Sequence, residues 1–438
     1  MNRLPQLVRG FVALTPQVRR VVLAVSGGLD SIALLHAAVQ AELELPLLAI
    51  HINHQLSPNA NNWQDFVMRE CTRLGVRLIC IKVEVNPAGV GVEEAARSAR
   101  YAAIESQLQV GDLVLMAHHQ LDQVETFFLR LARGAGVKGL AGMAALRPWG
   151  AATLGRPFIE VGREEIEQFA RSLGLSWVED ESNASEKYDR NFLRLNILPN
   201  LQKRWPELPA RVQQTSQLLR ESDELLGEYA EQDLSSCSPR TERVGCSIGF
   251  KLLMCWSNAR RRNLLRHWLT KQGYRLPSLK RLDEFESVLN ARQDQNPLLH
   301  LGDCEIRRYR ERIYCLPAHW DRAIFQEVQT VSTNKPYPLS DGSEIVWQAA
   351  QWGLPSGNYR IMPRYAASHI QRAHPKGRQH SQSLKKLLQE YALEPWLRER
   401  VPLVFDGERL VAVADLWVEH TAAVEQGLWP QWHYPSVI

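Results

Sequence analysis

The sequence predicts an α/β chain built on a doubly wound parallel sheet, followed by a helical domain and a small α+β C-terminal domain. Three observations carry this. From residue 21, short apolar runs alternate with segments of helical period. A glycine turn joins the first run to the first helix, and after about residue 200 the alternation gives way to long polar and basic stretches. Strands that alternate with helices are joined by crossovers, and crossovers make parallel sheets covered on both faces.

The runs are VVLAVS (21–26), LLAIHIN (47–53), RLICIKVEV (77–85) and LVLMAHH (113–119). Between them, SIALLHAAVQ (31–40), WQDFVMRECTRLG (63–75) and VEEAARSARYAAIESQL (92–108) repeat apolar residues three or four apart, which predicts helices. REEIEQFARSLG (163–174) predicts another helix and SWVED (176–180) another strand. Open sheets of this kind bind ligands beyond the carboxyl ends of their strands, so the residues just after each run are where chemistry is expected. Residues 207–234 read as one polar, Glu-rich helix that leads into an arginine-rich helical segment, Ala259 to Arg292. Clustered Pro336, Pro338, Gly342, Gly353, Pro355 and Gly357 mark a further boundary. The segments expected are 1–205, a helical connector 206–235, a basic domain 236–332 and a last domain 333–438.

A chain of 438 residues has room for about three domains. Its 45% hydrophobic and 23% charged content matches folded proteins and disfavours disorder. No run approaches the roughly 18 apolar residues of a membrane span, and Pro5, Arg9 and Pro16 break the N-terminal apolar stretches. Neither secretion nor a membrane partner is expected. The seven cysteines are odd in number, scattered and never in a C-x-x-C pair, which argues against a disulfide framework, a zinc ribbon or an iron-sulfur cluster. A reducing cytoplasm fits best.

SGGLDS, Ser26 to Ser31, lies between the first predicted strand and helix. Gly27 and Gly28 allow a sharp turn with no side chains in the way, and Asp30 and Ser31 begin a helix whose free N–H groups attract anions. This is a phosphate cradle. No G-x-x-x-x-G-K-[ST] occurs, so γ-phosphoryl transfer of the common P-loop kind is disfavoured. SGGxDS after a first strand resembles the PP-loop ATP pyrophosphatases, Rossmann-like enzymes that split ATP into AMP and pyrophosphate to adenylate a carbonyl-type oxygen.

Past the fourth run, AHHQLDQVETFFLRLARGAGVKGL (117–140) places Asp122, Glu125 and Thr126 on one helical face, three and four residues apart. Two carboxylates and a hydroxyl there could hold magnesium or a substrate ammonium; an acidic first turn favoured by the helix dipole is the plainer alternative. Gly134, Gly136 and Gly139 match G-x-G-x-x-G but follow a helix, which excludes a Rossmann dinucleotide fingerprint. With the loop, this segment resembles the H-x-x-D-D-Q-x-E-T signature of the tRNA(Ile)-lysidine synthetase family, except that Leu121 stands where the family has the first Asp. HINHQL (51–56), VEEAARSARY (92–101), RPFIEVGREEI (156–166) and EDESNASEKYDRNFLRLNILP (179–199) extend the resemblance in order.

Residues 255–312 hold 13 Lys or Arg against 7 Asp or Glu, and residues 360–400 hold 9 against 3 with Tyr365, Tyr391 and Trp396 interleaved. Cationic surface with aromatics suits RNA backbone and unstacked bases. RRRNLLRHWLTKQGYRLPSLKRL and SLKKLLQEYALEPWLRERVPLV (383–404) are similar to the family's middle and C-terminal domains.

The resemblance implies an ATP-dependent ligase that adenylates the C2 oxygen of the wobble cytidine in tRNA(Ile) with a CAU anticodon and then attaches free L-lysine at C2 with release of AMP. It implies that Ser26, Gly27, Gly28, Leu29, Asp30, Ser31 and His54 bind ATP, and that Asp30, His119, Asp122 and Glu125 are catalytic. Asp30 and Asp122 would hold Mg²⁺. Arg97, Arg133, Arg190, Arg194, Arg261, Arg262, Arg308, Lys385, Lys386 and Arg398 would contact tRNA. A homodimer stays open, as do three rival readings: a thiolation enzyme of the same superfamily, an amidotransferase-type synthetase and a non-catalytic tRNA-binding protein. Thiolation usually needs paired cysteines, which this chain lacks.

Overall fold

A computed structural model describes residues 3–15, 17–85, 91–181, 185–292 and 295–434. Pro16, residues 182–184 of the Glu179–Pro199 segment, the side chains of Val92 and Glu93 and the last four residues lie outside that description. The chain forms two compact units, Met1–Leu225 and Leu226–Ile438.

The first unit contains α1 (Arg3–Ala13), β1 (Arg20–Ala24), α2 (Leu29–Gln40), β2 (Leu47–Asn53), α3 (Ala60–Arg73), β3 (Arg77–Lys82), α4 (Val92–Glu105) and β4 (Asp112–Leu115). It continues through α5 (Gln120–Ala132), α6 (Val137–Leu140), β5 (Leu146–Trp149), β6 (Ala152–Gly155), α7 (Arg163–Ser172), α8 (Asp189–Phe192), a π-helical turn (Leu193–Ile197) and α9 (Leu198–Arg204). The sheet order is β3-β2-β1-β4-β6-β5. All neighbours are parallel except β5, which runs antiparallel to β6. The chain winds from β1 outward to β3 and then returns to place β4 on the other side of β1, so the switch point of the doubly wound sheet lies between β1 and β4.

Burial explains why the apolar runs were legible. Val21, Val22 and Leu23 of β1 and Leu113, Val114 and Leu115 of β4 are wholly buried, with α2 on one face supplying Ile32, Ala33, Leu34 and Leu35. Strands covered on both faces read as continuous apolar runs. Residues 176–180, expected as a strand, join no sheet. Their chain is held by one main-chain bond from Val178 to the carbonyl of Gly27 (3.0 Å), and its apolar content serves to pack against the loop after β1.

Helix α10 (Leu208–Ser236) forms one continuous helix over the expected connector. In the second unit, β7 (Arg240–Thr241) and β8 (Cys246–Gly249) lead to α11 (Asn258–Lys271), α12 (Leu279–Asp283) and α13 (Phe285–Asn290). Then β9 (Leu298–His300), β10 (Cys304–Tyr309) and β11 (Arg312–Pro317) complete a five-stranded antiparallel sheet, β7-β8-β11-β10-β9. The predicted basic helices are present, and this sheet lies against them around Trp268, Leu269 and Phe285. The remaining residues form a five-stranded antiparallel sheet that includes Asn358–Pro363 and Pro402–Asp406, a long pair, Glu344–Gly353 with Val424–His433, and the helix Leu384–Glu390.

Candidate active site

The loop after β1 is organised by Ser31. Its hydroxyl accepts from the N–H groups of Ser26 (3.2 Å) and Gly27 (3.1 Å) and donates to the carbonyl of Gly28 (2.9 Å). Gly27 adopts φ +97°, and a Cβ there would come within 2.9 Å of Val178. Glycine is therefore required both for the backbone conformation and for the close approach. The helix that follows starts at Leu29, so its free N–H groups face the end of the loop. Ser26 to Ser31 thus have the form of an anion cradle.

Asp30 lies in the first turn of α2, where burial raises its proton affinity and Asp122 adds to that, against the opposing pull of His119. Its Oδ1 is buried without a hydrogen-bond partner. His119 comes from the end of β4, across the switch point, and its Nε2 lies 3.7 Å from Asp30 Oδ2 and 3.5 Å from Asp122 Oδ2. It is also the N-cap of α5. Its Nδ1 accepts from the N–H of Leu121 (3.2 Å), while Asp122 Oδ2 accepts from the N–H of His119 (2.9 Å), a reciprocal cap. With Nδ1 accepting, a neutral ring carries its proton on Nε2, directed between two carboxylates.

Asp122 and Glu125 share the predicted face, and both meet arginines from the chain beyond α7. Arg190 donates from Nε to Glu125 (2.5 Å) and from Nη2 to Asp122 (2.7 Å). Arg194, in the π-helical turn, grips Glu125 through Nε (2.7 Å) and Nη2 (3.0 Å). Burial pushes the Asp122 carboxyl up, but His119 and Arg190 outweigh it and hold the group at about 2. Both Asp122 oxygens are engaged, whereas Asp30 offers one free hard oxygen. That donor set fits a magnesium ion that keeps its waters and phosphate ligands and takes one carboxylate from protein. Among the described residues no trio of His, Cys, Asp or Glu forms a cage of its own.

Three side chains that composition did not single out stand around this centre, Arg156 buried and His118 and Arg100 half-buried. His118, next to His119, is half-buried, and desolvation followed by Arg156, Arg190 and Arg100 pushes its imidazole down to about 3 against the opposing Asp122. Its Nδ1 has no partner, nor does Nε of Arg100. Arg100 is desolvated and repelled by Arg97 and Arg190. Arg156 is 3% exposed and donates to the carbonyl of Ala144 (2.6 Å). The doubled histidine after the fourth run and the repeated arginines of RSARY were the available signals. His54 follows β2, with Nδ1 buried and unpartnered and its proton affinity lowered by burial, Arg100 and His51. Arg97 lies over the ring of Tyr101 (5.4 Å), and Arg133 is exposed at the end of α5.

The basic residues expected to meet RNA divide into two groups in the second unit. Arg261 binds Glu286 and the carbonyl of Trp256, Arg308 caps the carbonyls of Leu289 and Ala291, and Arg398 donates to Tyr309 and Leu393. These cross-link the fold. Arg262 pairs with Asp283 and Lys386 with Glu390 at the surface. Lys385 is exposed on the rim of a cleft of about 250 Å³ that Arg364 and Tyr365 also line.

Family models match three stretches of the chain: a PP-loop domain over residues 3–201, a TilS substrate binding domain over 252–314 and a TilS substrate C-terminal domain over 364–432. The chain is 39% identical over 427 residues to a tRNA(Ile)-lysidine synthase of Alkalilimnicola ehrlichii, covering 94% of this chain and 93% of that protein. The corresponding enzyme of Salmonella paratyphi B is 36% identical, covering 95% and 97%, and that of Vibrio vulnificus is 37% identical, covering 91% and 92%. A phosphate loop joined through His119 to a carboxylate and arginine cluster therefore stands within a sequence that belongs to the tRNA(Ile)-lysidine synthase family.

Proposed function

We propose that this chain is the cytoplasmic ligase that converts the wobble cytidine of a CAU-anticodon tRNA(Ile) to lysidine, using ATP and free L-lysine. The carrying observation is the bridge from Asp30 through His119 to Asp122, which sets an anion cradle beside a charged, water-poor cluster at the switch point. ATP use follows from the PP-loop domain.

In the first step the cytidine C2 oxygen attacks the α-phosphorus of ATP, and pyrophosphate leaves into the N–H groups of Ser26 to Ser31. In the second, the lysine ε-amine attacks C2 and AMP departs. An amide-like oxygen leaves readily only once esterified, and fixed N–H donors stabilise the departing charge at no cost in reorganisation. Arg190 and Arg194, oriented by Glu125 and Asp122, supply positive charge toward the phosphates. His118, held neutral by desolvation and the surrounding arginines, adds no positive charge to the cluster, and the proton lost by the attacking amine passes to solvent. Asp30, through its free Oδ1, would hold Mg²⁺, which when bound neutralises phosphate charge.

The test measures pyrophosphate release and incorporation of labelled lysine into tRNA(Ile) with a CAU anticodon, beside methionine tRNA and the Asp30→Ala variant. Incorporation into tRNA(Ile) alone, lost in the variant, is the expected outcome. Pyrophosphate release without lysine transfer would point to another nucleophile, and silence in both would leave a tRNA-binding protein.

A further inference from the structure

Three cysteines, Cys246, Cys304 and Cys315, meet on one face of the sheet β7-β8-β11-β10-β9. Cys315 on β11 is directly opposite Cys246 on β8, and Cys304 on β10 pairs with Pro317, two residues along the strand from Cys315. Residues opposite or two positions removed on an antiparallel sheet project to the same side. All three are free thiols. Cys304 and Cys315 are buried, whereas Cys246 is half-buried where the β7–β8 turn reaches the surface.

Directly opposed Cα atoms in an antiparallel pair lie about 4.5 or 5.5 Å apart, and both spacings fall within the roughly 4.4–6.8 Å that a disulfide spans. Gly245 brings the two strands together at this point. It adopts φ +68° and packs so closely that any Cβ would collide with the carbonyl of Cys315. The thiols are electrostatically unequal. Contact with Cys315 lowers the proton affinity of Cys246 against burial, and the indole of Trp268 lowers it further. Cys315 is pushed up by Cys246 and Cys304. By contrast Cys71 and Cys237 are pushed up to about 11, chiefly by burial, and are inert.

We propose that Cys246 and Cys315 form a reversible, peroxide-sensitive thiol pair in which Cys246 is the attacking thiolate and Cys315 the resolving thiol. The thiolate of Cys246 attacks one peroxide oxygen, the O–O bond breaks, and the leaving hydroxide takes a proton to become water. Cys246 is then a sulfenic acid. The sulfur of Cys315 attacks it, an S–S bond forms, and a second water leaves. Two thiols lose two electrons and hydrogen peroxide is reduced to two waters. Intracellular disulfides of this kind are typically transient and regulatory. Oxidation here would draw the Cys246 sulfur from Trp268, whose helix α11 carries the Arg260, Arg261 and Arg262 cluster.

The test treats the full chain with hydrogen peroxide, alkylates the remaining thiols and maps peptides by mass spectrometry without reduction. The expected result is a dominant intramolecular Cys246–Cys315 crosslink that dithiothreitol removes. It disappears in C246S and in C315S, and C315S accumulates a sulfenic acid at Cys246 that dimedone traps. C304S removes only the third thiol, so the crosslink persists there even should either serine variant fail to fold. Cys246 remaining alkylatable while exposed Cys80 and Cys255 oxidise would overturn the proposal, as would a crosslink joining Cys304 to Cys315 or loss of the crosslink in C304S.

Discussion

Nε2 of His119 lies 3.7 Å from Oδ2 of Asp30, so one buried imidazole links the first turn of α2 to the start of the helix after β4. The same ring caps α5 through Nδ1. Cap and bridge can be separated, because asparagine is as good an N-cap but cannot reach between the two carboxylates. His119→Asn is expected to stay within about 1 kcal/mol of the parent stability and to lose about 10²-fold or more in pyrophosphate release. His119→Ala should show the same kinetic loss and a further loss of about 1 kcal/mol. Unchanged pyrophosphate release in the asparagine variant would reduce His119 to a cap.

Glu125 is 1% exposed and faces two guanidinium groups, so its charge supports the site from within. Glu125→Gln keeps the shape and removes the charge. Breaking a buried pair from one side costs about 3 kcal/mol or more, readable by urea denaturation. Removing Arg194 as well, in Glu125→Gln with Arg194→Gln, should cost less than the sum of the single variants by about 1–3 kcal/mol. Strict additivity would show that the two side chains do not act as a pair.

Acid should destabilise the first unit early. Burial and three arginines push His118 down to about 3, and Asp122 is held at about 2, so in both cases the unfolded chain binds its proton first. Stability therefore falls as the pH drops, from roughly 6.5 for the histidine and roughly 4 for the aspartate. The histidine contribution amounts to about 3 kcal/mol between pH 7 and pH 4. His118→Asn should flatten that slope. A parent chain equally stable at pH 7 and pH 4.5 would contradict the desolvated, neutral imidazole.

The alternating runs predicted β1, β2 and β4 because those strands are largely buried, and the edge strand β3 because its apolar residues alternate with exposed ones; the three-residue spacing of Asp122 and Glu125 correctly placed two carboxylates on one face. What local sequence does not show is the partner 65 positions away: nothing near Glu125 indicates that Arg190 will neutralise it. Residues 176–180 have the apolar and aromatic content of a strand, yet they join no sheet, and the Val178 N–H donates instead to the carbonyl of Gly27. The sheet in the second unit was hidden for a different reason. Its strands CEIRRY and RIYCLP carry arginines whose stems pack on the fold while their heads reach backbone carbonyls or carboxylates, so they read as charge and not as strand. His118 was passed over for His119 because two adjacent histidines differ only in their surroundings, which the fold supplies.

The same distinction decides which cations can meet RNA. Arg261 is largely buried against the half-buried Glu286, and Arg308 is bound to two backbone carbonyls, so alanine at either position leaves an acceptor of the fold without its partner. Such variants are expected to lose about 2 kcal/mol of stability, with tRNA binding weakened only as far as the fold loosens. Lys385 and Arg133 are exposed, and their alanine variants should unfold like the parent. If each contacts a phosphate, each variant weakens binding across tRNA sequences and lowers the slope of log affinity against log salt by about 1. Thermal unfolding and filter binding at several salt concentrations check both halves. A reduced salt slope in Arg261→Ala at full stability would return that arginine to the RNA surface, and an unaltered slope in Lys385→Ala would remove the lysine from it.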